Sequence, residues 1–255
     1  MPISFQKKYA HYYDLFYQDK NYKEEVDFLE KVFKKYLSKK PKTILDLACG
    51  TGGHVLLFAK RGYKMSGLDI SAGMLERAKE KAKDKKVKID FYRAPMQNFF
   101  IGKKFDAVTC MFSAINYLTN YHDLKKMLGN VKKHLKKNGL FYFDFWNGLA
   151  VLDHYDSYRQ KIIKDKQVVI KRIAQTKIDP VKQLCWVNYI LNVYQGKKKI
   201  NESKETHELK FYFTEELLNY LEDAGFEVLT VAPFLRLSGT IGKRIWDLNI
   251  IAIRK

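Results

Sequence analysis

The sequence predicts an α/β fold built on a mainly parallel sheet, and three observations predict it. Short, almost continuously apolar runs recur at 43–47, 63–68, 105–112 and 140–146, as expected of strands covered on both faces. Segments of helical period separate them. A glycine turn, Cys49-Gly50-Thr51-Gly52-Gly53, joins the first run to the first such segment.

Each element follows in order. The stretch 9–37 reads as two helices broken near Asp19-Lys20-Asn21. In the second, Val26, Leu29, Val32, Phe33, Tyr36 and Leu37 repeat at three-four spacing, and Pro41 closes it. After the first strand and the glycine turn, 54–61 is helical and Gly62 stops it. A second strand ends in Asp69, and Ser71 caps a helix running to about residue 83. A strand over 87–92 follows. The helix over 121–136 sets Leu124, Met127, Leu128, Val131 and Leu135 on one face. Beyond Trp146 the pattern changes to long alternating runs over 166–194 and a segment ending at 213, around a Gly196-Lys197-Lys198-Lys199 turn. These read as antiparallel strands inserted into the α/β fold. Thr214-Glu215-Glu216 is expected to cap a helix that Gly225 stops. Strands over 226–231 and 245–253 then form an antiparallel hairpin at the edge of the sheet.

Composition bounds the function. Lys and Arg number 47 against 28 Asp and Glu, a formal charge of +19 that attracts anions. The lysines are scattered, so a general lysine bias explains them as well as a nucleic-acid partner does. With 46% hydrophobic residues, a disordered chain is excluded. The first residues lack an apolar core of signal-peptide type. The longest nearly apolar stretch, 105–118, is broken by Asp106, Thr109, Ser113 and Asn116, so no membrane span is expected. Cys49, Cys110 and Cys185 form no CxxC pair, and a reducing cytoplasm is the expected home.

The chemistry concentrates at Asp46-Leu47-Ala48-Cys49-Gly50-Thr51-Gly52, where an acid ends a strand and glycines turn the chain into a helix. A dinucleotide fingerprint needs a third glycine where Val55 stands. Asp46 would also repel a pyrophosphate and suit an ammonium group. Asp69 ends the second strand 23 positions on, where an acid accepts from both ribose hydroxyls. A ribose, a cationic end and no phosphate describe S-adenosylmethionine.

These residues resemble the first motif of class I S-adenosylmethionine-dependent methyltransferases. Leu68-Asp69-Ile70-Ser71-Ala72-Gly73-Met74 resembles their acidic second motif, Phe105-Asp106-Ala107-Val108-Thr109-Cys110 their fourth strand, and Leu135-Lys136-Lys137-Asn138-Gly139-Leu140 the turn into the fifth. The resemblance implies a Rossmann-like, mainly parallel seven-stranded sheet with an inserted antiparallel β subdomain. It implies a helical lid over 1–40, a cofactor core over 41–146 and 211–255, and an acceptor-side insertion over 147–210. The implied cofactor residues are Tyr13, Tyr22, Asp46, Ala48, Gly50, Thr51, Gly52, Asp69, Ile70, Met74, Met96, Gln97 and Met111. Pro95 stands where many members carry an adenine-binding Asp, which leaves that task to the backbone near Met96 and to Gln97.

Two further stretches narrow the resemblance. Tyr12-Tyr13-Asp14-Leu15-Phe16-Tyr17 resembles the entry helix of small-molecule methyltransferases, and the same aromatics also suit a helix packed on the core. Cys110-Met111-Phe112-Ser113-Ala114-Ile115-Asn116-Tyr117-Leu118 resembles the corresponding stretch of sugar-nucleotide amino-group N-methyltransferases, the nearest pattern. The implied acceptor residues are Tyr17, Ser113, Asn116, Tyr117, Trp146, Asn147, Arg172 and Trp186. His122 and Tyr13 are the catalytic candidates, with His11 and His154 as further histidines that could act as a base. No metal motif is present. The expectation is an enzyme methylating an amino or hydroxyl group of a small, anionic acceptor such as a nucleotide-linked sugar, as a monomer or homodimer. An RNA or protein methyltransferase, or a non-catalytic S-adenosylmethionine-binding protein, stays open.

Overall fold

The structure, a computed structural model, describes residues 7–164 and 168–255, with side chains from Tyr12 onward. Helices α1 (Lys7–Phe16) and α2 (Tyr22–Tyr36) precede β1 (Thr43–Leu47). Then come α3 (Gly53–Lys60), β2 (Lys64–Asp69), α4 (Ala72–Asp84), β3 (Ile89–Arg93) and β4 (Phe105–Cys110). A 3-10 turn (Ala114–Tyr117), α5 (Tyr121–His134) and β5 (Leu135–Trp146) follow. The second half runs α6 (Gly148–His154), β6 (Tyr158–Lys164), β7 (Val169–Asp179), β8 (Leu184–Gln195), β9 (Lys198–Lys210), α7 (Thr214–Asp223), β10 (Phe226–Pro233) and β11 (Asp247–Arg254).

Seven strands form one sheet in the order β10-β11-β5-β4-β1-β2-β3, and β6-β7-β8-β9 form a separate antiparallel sheet. Strands β3, β2, β1, β4 and β5 are mutually parallel, so the order reverses between β1 and β4. That switch point opens a crevice at the carboxyl ends of β1 and β4. Alternate residues feed two cores. Leu45, Leu47, Val108, Phe141 and Phe143 pack towards α5 and α7, while Ile44, Ala107, Leu140 and Tyr142 pack towards α2 and α3. At the far end Asp106 braces β1 by accepting from the Lys42 and Thr43 amides, each at 2.9 Å.

The last two strands form the expected antiparallel hairpin at the edge of the sheet, with β10 outermost and β11 paired with β5 on its other side. Seven apolar-rich positions of β11 align with β5, and burial on both sides favours that slot over an exposed edge. Phe213, not Thr214, is the N-cap of α7, and no side chain caps that end. The expectation missed α6 and β6. Asn147 caps α6 by accepting from the Leu149 amide, and β6 is mostly exposed, so its apolar alternation is weak.

One face of the second sheet meets the rest of the molecule. Ile163, Ile170, Leu191 and Val193 bury Tyr13 and Phe16 of α1 and Met74 of α4. Further along, Cys185, Val187 and Leu209 pack on Val151 of α6. Lys161 of β6 donates to the Phe16 carbonyl at 2.7 Å and pairs with Asp19 at 3.0 Å, fastening the carboxyl end of α1.

Candidate active site

The glycine turn adopts left-handed backbone at Ala48, Gly50 and Gly52, with φ of 52°, 55° and 86°. That geometry explains the two glycines. They do different work. A Cβ on Gly50 would meet nothing within 4 Å, so the turn opens onto free space there. A Cβ on Gly52 would lie 3.3 Å from Ala78 and Val55, in the packing of α3 against α4. Gly52, one of the implied cofactor residues, thus serves that helix packing rather than the open space. Tyr22 covers the next residue so closely that a Cβ on Gly53 would clash with its ring.

Both acids line this turn. Asp69 accepts from the amides of Gly50 and Ser71, each at 2.8 Å, and so shapes the loop. Burial pushes its carboxyl up, and those two amides oppose the shift. Asp46 is buried, accepts from the Thr109 hydroxyl at 2.6 Å, and is pushed up to about 6 by burial. A buried acid with one hydrogen bond suits a cationic partner. The open space at Gly50, next to Asp69 and near the strand that carries Asp46, could hold S-adenosylmethionine, whose amino group would suit one acid and whose ribose hydroxyls the other.

Helix α1 closes on the same turn. Asp14 accepts from the Thr51 hydroxyl at 2.6 Å and from Lys81 at 2.9 Å. Beside it, buried Glu25 of α2 pairs with His54 at 2.5 Å and with Lys20. Burial alone would raise the Glu25 carboxyl, but His54 and Lys20 outweigh it and hold it low.

The chain leaving β4 is held in an unusual way. Phe112 and Ser113 both take left-handed backbone, with φ of 64° and 53°. Such conformations persist only where surroundings fix them. Asp144 does so, accepting from the Ser113 amide at 2.7 Å and its hydroxyl at 3.1 Å, while Asp247 lies 3.3 Å from that hydroxyl. Burial and the neighbouring Asp247 push Asp144 up to about 7, and burial pushes Asp247 up to about 6. The result is an exposed Phe112 ring over which the Lys20 ammonium sits at 4.1 Å.

From Phe112 a belt of side chains crosses to the second sheet. Tyr17 stacks edge-on to Phe112 at 5.0 Å and lies 4.7 Å from Tyr13. Arg172 of β7 donates to the Tyr17 hydroxyl at 3.2 Å and lies over the Tyr189 ring at 5.2 Å. Tyr189 meets the His207 ring at 4.9 Å, and His207 reaches the Tyr117 hydroxyl at 2.6 Å.

The expected site residues thus separate. Tyr13, Tyr17 and Arg172 are in one contact chain from α1 to β7, Tyr117 joins it through His207 and Tyr189, and Ser113 is held by Asp144. Asn116 and Asn147 are buried braces: Asn116 donates to the Lys210 carbonyl, and Asn147 to the carbonyls of Gly242 and Ile245. Met74 and Met111 are buried core residues. Met96 is half-buried, Ile70 is exposed, and the Gln97 carbonyl accepts from Asn130. Trp146 stacks on Trp246. Trp186 pairs with Glu208 on the opposite face of the second sheet from His207. His122 is exposed at the start of α5, and His154 lies exposed beside Trp246. The side chain of His11 lies outside the described residues. Phe112, Asp144, Tyr189, Glu205 and His207 escaped sequence reasoning. The one available signal was Glu205 and His207 two apart in a strand, hence on one face.

Sequence comparison meets the geometry at this point. Residues 44–139 match the model of the methyltransferase domain family. A dTDP-3-amino-3,4,6-trideoxy-alpha-D-glucopyranose N,N-dimethyltransferase of Streptomyces venezuelae is 31% identical over 56% of this chain and 59% of its own length. The dTDP-3-amino-3,6-dideoxy-alpha-D-glucopyranose N,N-dimethyltransferase of Streptomyces fradiae is 33% identical over 54% and 52%. The chain thus spans a little over half the length of these two relatives. A solved S-adenosylmethionine-dependent methyltransferase from Clostridium acetobutylicum superimposes with TM-score 0.82 at 25% identity, over 97% of this chain and 98% of that one. The fold is that of a class I methyltransferase, and residues 44–139 carry a methyltransferase domain. Among the described residues no helix is long and apolar enough to cross a membrane.

Proposed function

We propose that this enzyme methylates the amino group of a nucleotide-linked sugar, held between the turn after β4 and the inner face of the second sheet. One observation carries the reading: the belt Tyr13, Tyr17, Phe112, Arg172, Tyr189, His207 and Tyr117 joins α1, whose Asp14 holds Thr51 of the glycine turn, to that sheet. Aromatic faces suit the apolar C–H faces of a sugar ring. Arg172 supplies the planar cation that pairs with a phosphate. Two relatives named above act on dTDP-linked amino sugars, which supports the same acceptor class.

The cofactor, when bound, supplies an electrophilic methyl on a sulfonium. In this reading Asp69 and Gly50 seat its ribose, and Asp46 its amino group. Phe112 and α1 exclude water and leave the acceptor one line of approach. The test is incubation of the full chain with methyl-labelled S-adenosylmethionine and a panel: a nucleotide-linked amino sugar, its hydroxyl counterpart, free amines and RNA. Label entering the amino sugar is expected. Label entering only the hydroxyl sugar, a free amine or RNA overturns the reading.

A further inference from the structure

Where the second sheet meets the turn after β4, two buried titratable groups and a half-buried one form a chain that no step above uses. On β9, Glu205 and His207 are two residues apart and share the inner face, both buried. The Glu205 carboxylate lies 3.1 Å from His207 Nε2, and the Tyr117 hydroxyl lies 2.6 Å from Nδ1. A carboxylate only accepts, so Nε2 carries the imidazole proton and Nδ1 accepts from the Tyr117 O–H. The chain joins two parts of the fold: Tyr117 comes from the turn after β4, and Glu205 and His207 both come from β9 of the inserted sheet. The groups facing His207 are Glu205 on its own strand, Tyr189 from β8 and Tyr117 from the turn, with Arg172 of β7 behind Tyr189.

We infer that Tyr117, His207 and Glu205 form a proton relay that prepares the acceptor for methyl transfer. The inference rests on the amino-acceptor reading above. An amine arrives as an ammonium without a lone pair. Its N–H bond breaks and the proton passes to the Tyr117 oxygen, as the proton already there moves to His207 Nδ1. The imidazolium so formed is held by Glu205. The freed nitrogen lone pair forms the new N–C bond while the C–S bond breaks and sulfur keeps its electron pair. The methylated product keeps its remaining proton or protons, and the imidazolium returns its proton through Tyr117 to water as product leaves. Proton transfer by a positioned group is worth roughly 10²–10⁴ in rate.

The test uses the full chain and three variants, assayed with the nucleotide-linked amino sugar from pH 6.5 to 9.5. Wild-type transfer to that sugar is the first arm, and its failure refutes the acceptor reading rather than the relay. Given wild-type turnover, His207→Asn keeps a hydrogen-bonding group near Tyr117 but cannot hold a proton at neutral pH. Its kcat is expected to fall about 100-fold at pH 7, with acceptor KM and cofactor affinity within about threefold. Turnover should recover towards wild type above pH 9, where solvent supplies the free amine. Tyr117→Phe should reproduce this profile, and it decides the matter should His207→Asn fail to fold. Glu205→Gln should give a smaller loss with the same recovery. A loss equal at every pH, a rise in KM with unchanged kcat, or no loss at all overturns the relay.

Discussion

Asp144 concentrates several roles in one side chain. It fixes the left-handed Phe112 and Ser113, it faces Asp247 through the Ser113 hydroxyl, and its Oδ1 is a buried oxygen lacking a hydrogen bond among the described residues. Carboxyls of Asp titrate near 4 in an unfolded chain, whereas here Asp144 stands at about 7 and Asp46 and Asp247 at about 6. Groups raised on folding stabilise the protein below their unfolded value, and that contribution is lost as pH rises through about 6 and then 7. Asp144→Asn keeps an acceptor for Ser113 and removes the buried charge. We expect the variant to gain stability on wild type by a few kcal/mol as pH rises from 5 to 8, an order-of-magnitude figure. Thermal melts at each pH check this; a gap independent of pH would sink it.

Among the elements, α1 is held through its last turn. Asp14 ties it to Thr51 of the glycine turn, Lys161 fastens its last carbonyl, and Tyr13 and Phe16 sink between α4 and the second sheet. Tyr13 and Phe16 are therefore core, and the function proposed above gives the half-buried Tyr17 a place in the site. A chain beginning at Lys23 loses these contacts while keeping both sheets. It should still melt cooperatively, and its turnover should fall by at least about tenfold, because closure over a site excludes water and aligns the reactants. Full turnover by that shortened chain would show that α1 plays no part in catalysis. Strand β11 makes the complementary point. Its sequence alone fits an edge or an interior position, and only pairing with β5 on one side and β10 on the other settles which.

For the molecule as a whole, the cofactor crevice at the β1–β4 switch point joins two layers that the chain builds separately. A ligand bound only by the folded protein stabilises it by about 2.7 kcal/mol at 100 times its dissociation constant. For a chain of this size that raises the melting midpoint by about 5–10 °C. S-adenosylmethionine should give this shift and a nicotinamide dinucleotide should give none, since Val55 denies the third glycine and Asp46 opposes a pyrophosphate. Scanning calorimetry or dye-based melting measures it. A shift from the dinucleotide alone would overturn the cofactor geometry.

The cofactor half was legible because its chemistry is local. Asp46, Gly50, Gly52 and Asp69 sit at strand ends and turns, where a few neighbouring residues fix backbone shape, and strand-helix alternation gave the parallel sheet. The roles of individual glycines were less legible, since Gly52 serves helix packing and Gly50 the open space, a distinction made in part by Ala78 on another helix. The acceptor side was read poorly for the same kind of reason. Asn116, Asn147 and Trp186 look like polar or aromatic contacts in sequence, yet the first two brace buried carbonyls and the third faces away. Period-two alternation says that Glu205 and His207 share a face but not which face. By itself, then, the sequence determined the sheet, the glycine turn and its two acids, because short-range sterics and hydrophobic period specify them. Only the tertiary structure decided that Tyr117 meets His207 across 90 residues, since that encounter depends on how the second sheet packs against the first.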